Sequence, residues 1–229
     1  MKARPTIGVT HSSKKHRIMY YAIKFALVIS GAKVKSITAS SPAFDEEIDG
    51  LLLSGGIDIH PMFYNATPKE NYPYEIDRDK MELAWMKIAE DNMIPILGIC
   101  RGAQLINVFR CGTLHAEVAK SYEKAHYPSS LLARIFYRKR MHINNLDSLI
   151  HRIMGDDKIK VNSIHTQSID LLGNNLKITA SESNQVVQVI EDPTNPFILG
   201  LQFHPEFIIY SKYHRCIFIS FIRAALKQT

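Results

Sequence analysis

The chain has 229 residues, 46% hydrophobic and 22% charged, which suits one large core and excludes a disordered composition. Lys and Arg outnumber Asp and Glu by 28 to 22, and no apolar run approaches the ~20 residues that span a bilayer. Three cysteines, Cys100, Cys111 and Cys216, make no disulfide framework and fit a reducing compartment.

The start of the chain lacks the apolar stretch of a signal peptide. The expectation is therefore one domain over residues 1–229, cytoplasmic and without membrane contact. Two basic clusters stand out: Lys14, Lys15, His16, Arg17, and Arg134, Arg138, Lys139, Arg140 with Phe136 and Tyr137 interleaved. No nucleic-acid recognition motif accompanies them, so they read as solvated faces.

Residues 5–10 (PTIGVT) open as a short strand. Residues 17–30 carry Ile18, Tyr21, Ala22, Phe25, Val28 and Ile29 at helical spacing, and Gly31 ends that helix. Strands are expected at 33–38 and 48–53, the second running into the Ser54-Gly55-Gly56 turn. Residues 57–76 hold three prolines and three tyrosines without a predicted element. A loop of that length beside a Gly-Gly turn is expected to shape a site. Residues 77–92 read as an amphipathic helix with Met81, Ala84, Trp85, Ile88 and Ala89 on one face.

The apolar strand 95–99 and the helix 102–110 follow. Strands alternating with helices predict a parallel sheet buried on both faces. Strands at 158–162, 176–180, 186–191 and 198–203, with few helices between them, predict hairpins. A helix over 212–227 closes the chain.

The chemistry centres on Gly98-Ile99-Cys100-Arg101-Gly102, directly between strand and helix. This is the cysteine form of a nucleophile elbow. A nucleophile on a sharp strand-to-helix turn needs small neighbours two residues either side. The helix N-terminus there favours a thiolate. Gln202-Phe203-His204-Pro205-Glu206 supplies a base and an orienter. In extended backbone positions i and i+2 face the same way, so Glu206 is placed to hold one imidazole nitrogen while the other faces the thiol. Cys100, His204 and Glu206 form a candidate catalytic triad. The N–H of Arg101 and that of Gly56, with Gly55 close behind, are candidate oxyanion donors.

Taken alone, each piece has an ordinary structural reading: a buried cysteine, a core histidine, a common turn. Together they resemble the class I glutamine amidotransferase-like family, and within it the γ-glutamyl-γ-aminobutyrate hydrolase-type cysteine peptidases. The matching segments are 51–58 (LLLSGGID), Pro61, Tyr64, Arg78-Asp79, 95–107 (PILGICRGAQLIN), 112–115 (GTLH), 161–167 (VNSIHTQ) and 200–206 (GLQFHPE). The resemblance implies a flavodoxin-like three-layer α/β/α fold, with a mostly parallel central sheet and extra antiparallel strands in the C-terminal half. It implies a thioester on Cys100, no cofactor and no metal. It places Gln104, Asn162, Ser163 and His165 near the substrate. The Cys-Arg-Gly-Ala-Gln elbow leans toward the hydrolases; Cys111, preceded by Arg110, stands where they usually carry a glycine.

Three functions follow as expectations. The first is a stand-alone hydrolase of a small-molecule γ-glutamyl amide. The second is a glutaminase subunit delivering ammonia to a separate synthetase. The third is a non-catalytic binding protein on the same fold. The leaving amine and the oligomeric state, a homo-oligomer included, stay open.

Overall fold

Short runs of consecutive apolar residues build the centre of the molecule. A computed structural model describes residues 4–13, 17–122, 137–162 and 165–227. In chain order they form β1 (Thr6–Thr10), α1 (Arg17–Ile29), β2 (Lys33–Ile37), β3 (Gly50–Leu53), α2 (Ile76–Asp91), β4 (Ile96–Ile99) and α3 (Arg101–Phe109). There follow β5 (Leu114–His115), α4 (Val118–Ser121), β6 (Lys139–Ile143), α5 (Leu149–Met154), β7 (Lys158–Val161) and β8 (Ser168–Ile169). The last elements are β9 (Lys177–Ser181), β10 (Val187–Glu191), β11 (Ile198–Leu201) and α6 (Lys212–Leu226).

Nine strands make one sheet in the order β2-β1-β3-β4-β11-β10-β9-β6-β7. The pairings from β2 to β11 are parallel, and those from β11 to β7 antiparallel. The expected parallel core with antiparallel additions is what forms. Side chains alternate across it. Val9, Leu52, Leu97 and Leu199 face one core with α1, α5 and α6. Leu51, Leu53, Ile96 and Ile198 face a second core with α2 and α3. Helices therefore cover both faces, as parallel strands require.

Several expectations need correction. Most of the apolar residues read at helical spacing on α1 lie on its outer face: Ile18 is 73% exposed and Phe25 57%, and Tyr21, Val28 and Ile29 are exposed too. The buried face is Tyr20, Ile23, Ala26 and Leu27. This helix is apolar on both arcs, and the second arc packs against the sheet. On α2, Ala84 is exposed, while Arg78, Asp79 and Glu82 are buried beside Met81 and Trp85. The stretch 57–76 is not without structure: Pro61–Tyr64 forms a 3-10 turn capped by the His60 side chain. Strand β6 and helix α5 were not anticipated. Cys111 keeps a left-handed backbone, φ 66°, which explains the glycine usual there in the resembled hydrolases.

Candidate active site

Cys100 is the joint between β4 and α3. Its backbone sits at φ 55° and ψ −104°, a sparsely populated region that persists only when its surroundings enforce it. The Cys100 N–H donates to Leu201 O, 2.6 Å away, across the parallel β4–β11 pair. Glycines permit the turn. A Cβ on Gly98 would lie 2.6 Å from the Gly102 backbone, and one on Gly102 would collide with the Leu53 carbonyl. Cys100 is buried and a free thiol.

His204 and Glu206 come from the segment after β11, the neighbour of β4 in the sheet. His204 Nδ1 and Glu206 Oε1 are 2.7 Å apart, both groups buried. The pairing is not made by extended backbone, because Glu206 lies in a 3-10 turn, Pro205–Ile208. Pro205 starts that turn and brings the carboxylate back under the ring. With Nδ1 engaged by Glu206, Nε2 is the nitrogen left for the thiol. Burial opposes charge on the ring, but Glu206 and the Cys100 sulfur outweigh it and push His204 up to about 10. The ring is thereby favoured in its charged form beside the Cys100 sulfur.

The Ser54–Gly56 turn lies next to Cys100. A Cβ on Gly55 would meet His204 Cε1 at 3.0 Å and Cys100 Cβ at 3.8 Å. Gly56 N–H has no hydrogen bond among the described residues. Arg101, first residue of α3, has an N–H without an intrahelical acceptor. An ionic cluster holds both from behind. Arg78 donates to Ser54 O (3.2 Å), Gly55 O (3.0 Å) and Glu82 Oε1 (3.0 Å). The Arg101 guanidinium bonds Asp79 and Glu82. Thr10 Oγ1 donates to Glu82 Oε1 at 2.6 Å. Burial opposes the Glu82 charge, but Arg101 and Arg78 hold its carboxyl below the usual range. Burial raises Asp79 despite Arg101.

The residues expected near the substrate divide. Asn162 is buried, accepting from His204 N–H (2.8 Å) and donating to His204 O (3.0 Å); its amide holds the histidine backbone in place. Gln104 Nε2 donates to Gln167 O (2.9 Å) and Gln202 Oε1 (3.0 Å). His165 Nδ1 lies 2.7 Å from Gln167 O. Ser163 lies outside the described residues, as do Lys14, Lys15, His16, Arg134 and Phe136. The 57–76 segment is tied to residues 165–167. Asp58 Oδ1 accepts from Thr166 and Oδ2 from Lys69, each at 2.9 Å. Ile59 N–H donates to Gln167 Oε1 at 3.1 Å.

Sequence reading passed over Gln202, whose Nε2 is 3.6 Å from Cys100 Sγ, and Glu82. Gln202 sits in the quoted GLQFHPE segment, two residues before His204, which was its only signal. Beyond the turn, a cavity of about 760 Å³ opens at the carboxyl ends of β1, β2 and β3, lined by His11, Ser12, Ser40, Ile57, Glu75 and Arg78 among others. Among the described residues, no group of three or more His, Cys, Asp or Glu is placed to hold a metal ion. No helix among those residues is long and apolar enough to cross a membrane.

Comparison with known proteins relates the chain to a family. A protein of Schizosaccharomyces pombe, provisionally named a glutamine amidotransferase, is 35% identical over 170 residues, 73% of this chain and 65% of its own length. The γ-glutamyl-γ-aminobutyrate hydrolase of Escherichia coli is 26% identical over 165 residues, 70% of this chain and 65% of the relative. The chain thus spans just under two thirds of either relative. A crystal structure from Thermoplasma acidophilum, provisionally assigned to GMP synthase as one of its subunits, superposes with a TM-score of 0.72 at 22% identity, covering 98% of this chain and 96% of that one. This last likeness shows the fold. The profile of the Peptidase C26 family matches residues 9–206, and the chain belongs to that family, within the class I glutamine amidotransferase-like proteins.

Proposed function

We propose that the chain hydrolyses a γ-glutamyl amide through a thioester on Cys100. The observation that carries this reading is the buried Cys100–His204–Glu206 group, with the cysteine at φ 55° on a strand-to-helix turn and His204 pushed up to about 10. The E. coli relative, a γ-glutamyl-γ-aminobutyrate hydrolase by name, supports the substrate class.

In this mechanism the Cys100 thiolate adds to the γ-carbonyl carbon. The resulting oxyanion accepts hydrogen bonds from the N–H groups of Arg101 and Gly56, donors already fixed by the ionic cluster. The C–N bond breaks as His204 gives its proton to the departing nitrogen. Water then enters, His204 takes one of its protons, and the hydroxyl adds to the thioester carbon. Cleavage of the C–S bond releases glutamate and restores the thiolate–imidazolium pair. Glu206 keeps Nδ1 protonated throughout, so that Nε2 does the proton transfer. Gln104, Ser163 and His165 are proposed to line the γ-glutamyl site, and the cavity beyond Ile57 to take the leaving amine.

A second reading, favoured by the name of the S. pombe relative, is release of ammonia from glutamine for a separate synthetase. One assay separates the two: hydrolysis of a panel of γ-glutamyl amides, glutamine included, by the purified chain. The expected result is turnover of at least one γ-glutamyl amine at ~1–10³ s⁻¹, with glutamine poorer. Cys100→Ala should lower turnover by several orders of magnitude without unfolding the chain. No hydrolysis of any γ-glutamyl amine, restored only by an added synthetase, would establish the second reading.

A further inference from the structure

We propose that Gln202 is a catalytic residue, a donor to the Cys100 sulfur whose amide is oriented by Gln104. This rests on the reading of Cys100 as the nucleophile and adds a third group acting on it.

A glutamine amide has one end that donates and one that accepts, and the two ends look alike in shape. What decides between them is the neighbour that can play only one role. Gln167 O is a backbone carbonyl and only accepts. Gln104 therefore presents Nε2 to it, at 2.9 Å. The other N–H of the same Nε2 points to Gln202, 3.0 Å away, and must meet an acceptor, Oε1. That leaves the Gln202 NH2 on the opposite side, 3.6 Å from Cys100 Sγ. Gln202 thus faces the sulfur with a donor, the polarity that favours a thiolate.

The chain of bonds is anchored at its far end. Gln167 O also takes the His165 ring nitrogen at 2.7 Å, so His165 donates there as well. The Gln167 side chain is held by Ile59 N–H at 3.1 Å and the Tyr64 hydroxyl at 2.9 Å. Gln104, Gln167 and Gln202 are all buried, so solvent does not offer alternative partners. His204 is paired with Glu206, and Arg101, the next residue in the chain after Cys100, gives its guanidinium to Asp79 and Glu82. Gln202 adds a donor with no net charge and no proton to lose. It supports the thiolate without taking a proton-transfer role from His204.

The test needs no substrate. The rate of Cys100 alkylation by iodoacetamide is followed by mass spectrometry from pH 5 to pH 10 in the intact chain, for wild type, Gln202→Met and Gln104→Met. Methionine keeps the length of glutamine and removes both donor and acceptor. Gln202→Met is expected to slow alkylation roughly tenfold at the acid end, with the difference vanishing at the alkaline end, where the sulfur is ionised in every variant. Gln104→Met is expected to give a smaller slowing in the same pH window, because the Gln202 amide is then free to turn over. A purely structural role changes access to the sulfur and moves the rate equally at all pH values. That outcome, or superimposable profiles, overturns the proposal. If Gln202→Met does not fold, Gln104→Met decides alone by the same criterion. A chain that hydrolyses no γ-glutamyl amide yet shows the pH-dependent slowing retains the Gln202 assignment and loses the hydrolase reading instead.

Discussion

Two polar regions flank Cys100, and they are built from different chemistry. Behind the Ser54–Gly56 turn and Arg101 the groups are charged: Arg78, Asp79, Glu82 and Arg101, all buried. On the side of His204 they are neutral amides: Asn162, Gln104, Gln167 and Gln202. The charged region grips its targets hard. Arg78 alone holds two successive carbonyls of the turn and the shared carboxylate of Glu82. The amide region sets direction without adding charge. A second buried carboxylate there, beyond the Glu206 already paired with His204, would oppose the Cys100 thiolate, and a buried guanidinium would oppose the imidazolium of His204. Amides leave the charge state of that pair to its own members and Glu206. Charge braces the turn, and around the His204–Glu206 pair the remaining polar partners are neutral.

The largest way to break this contrast is at Glu82, the one carboxylate shared by both guanidinium groups. Glu82→Gln leaves Arg78 and Arg101 buried with less compensation. The expected loss is about 3–5 kcal/mol of stability, read by urea unfolding at pH 7. A loss below about 1 kcal/mol would mean that the cluster relaxes or hydrates freely and does not brace the turn.

The amide side is expected to answer more weakly. Asn162→Leu removes two neutral hydrogen bonds and strands the N–H and C=O of His204 in a buried site. About 2–3 kcal/mol is expected, with a fall in kcat/KM because the imidazole is no longer held against Cys100. Unchanged kcat/KM in a folded Asn162→Leu would show that the 3-10 turn alone positions the ring.

The contrast also marks what was legible in the sequence. The strands were plain because 51–53 and 96–99 are continuous apolar runs, and the elbow because its two glycines flank a cysteine. The parallel half followed from strand–helix alternation. The inward face of α1 was not legible because Ile18, Tyr21 and Phe25 make as good an apolar arc as Tyr20, Ile23 and Leu27, and only the sheet chooses between them. Strand β6 (KRMHI) has two basic residues in its first two positions and only Met141 and Ile143 buried, too weak an alternation to read. The polar regions were hidden for a different reason. Arg78 and Glu82 sit on one helix, yet their targets lie on β1, the 54–55 turn and α3. The Gln202–Cys100 and Gln104–Gln202 contacts join residues about a hundred positions apart. Nothing local in a glutamine says whether it faces water or a sulfur. The Pro205 turn likewise replaced the extended geometry invoked for His204 and Glu206, while the pairing itself formed.

The smallest change tests whether charge really dominates the first region. Thr10→Val removes the Oγ1 donor to Glu82 and nearly preserves shape. Glu82 keeps Arg78 and Arg101, so no charge is stranded, and the expected cost at pH 7 is about 1–2 kcal/mol. Its pH dependence carries the sharper information. Burial works to raise the Glu82 carboxyl, but Arg101, Arg78 and the Thr10 hydroxyl together hold it below its ordinary value. A carboxyl held low in the folded state contributes stability above its unfolded value, and that contribution fades as pH falls through the folded one. Removing the Thr10 hydroxyl lessens the depression, so both proteins start to lose the contribution at the same unfolded value, but the variant finishes losing its smaller share at a higher pH while wild type goes on losing. Once Glu82 is protonated in both proteins the charge-assisted part of the bond is gone from both. The gap in Tm between Thr10→Val and wild type should therefore be widest near neutral pH and should narrow below about pH 4.5, the ordinary range of a glutamic acid. A gap that stays constant from pH 7 to pH 3 would assign the Thr10 hydroxyl a packing role and leave the guanidinium groups as the sole cause of the Glu82 charge.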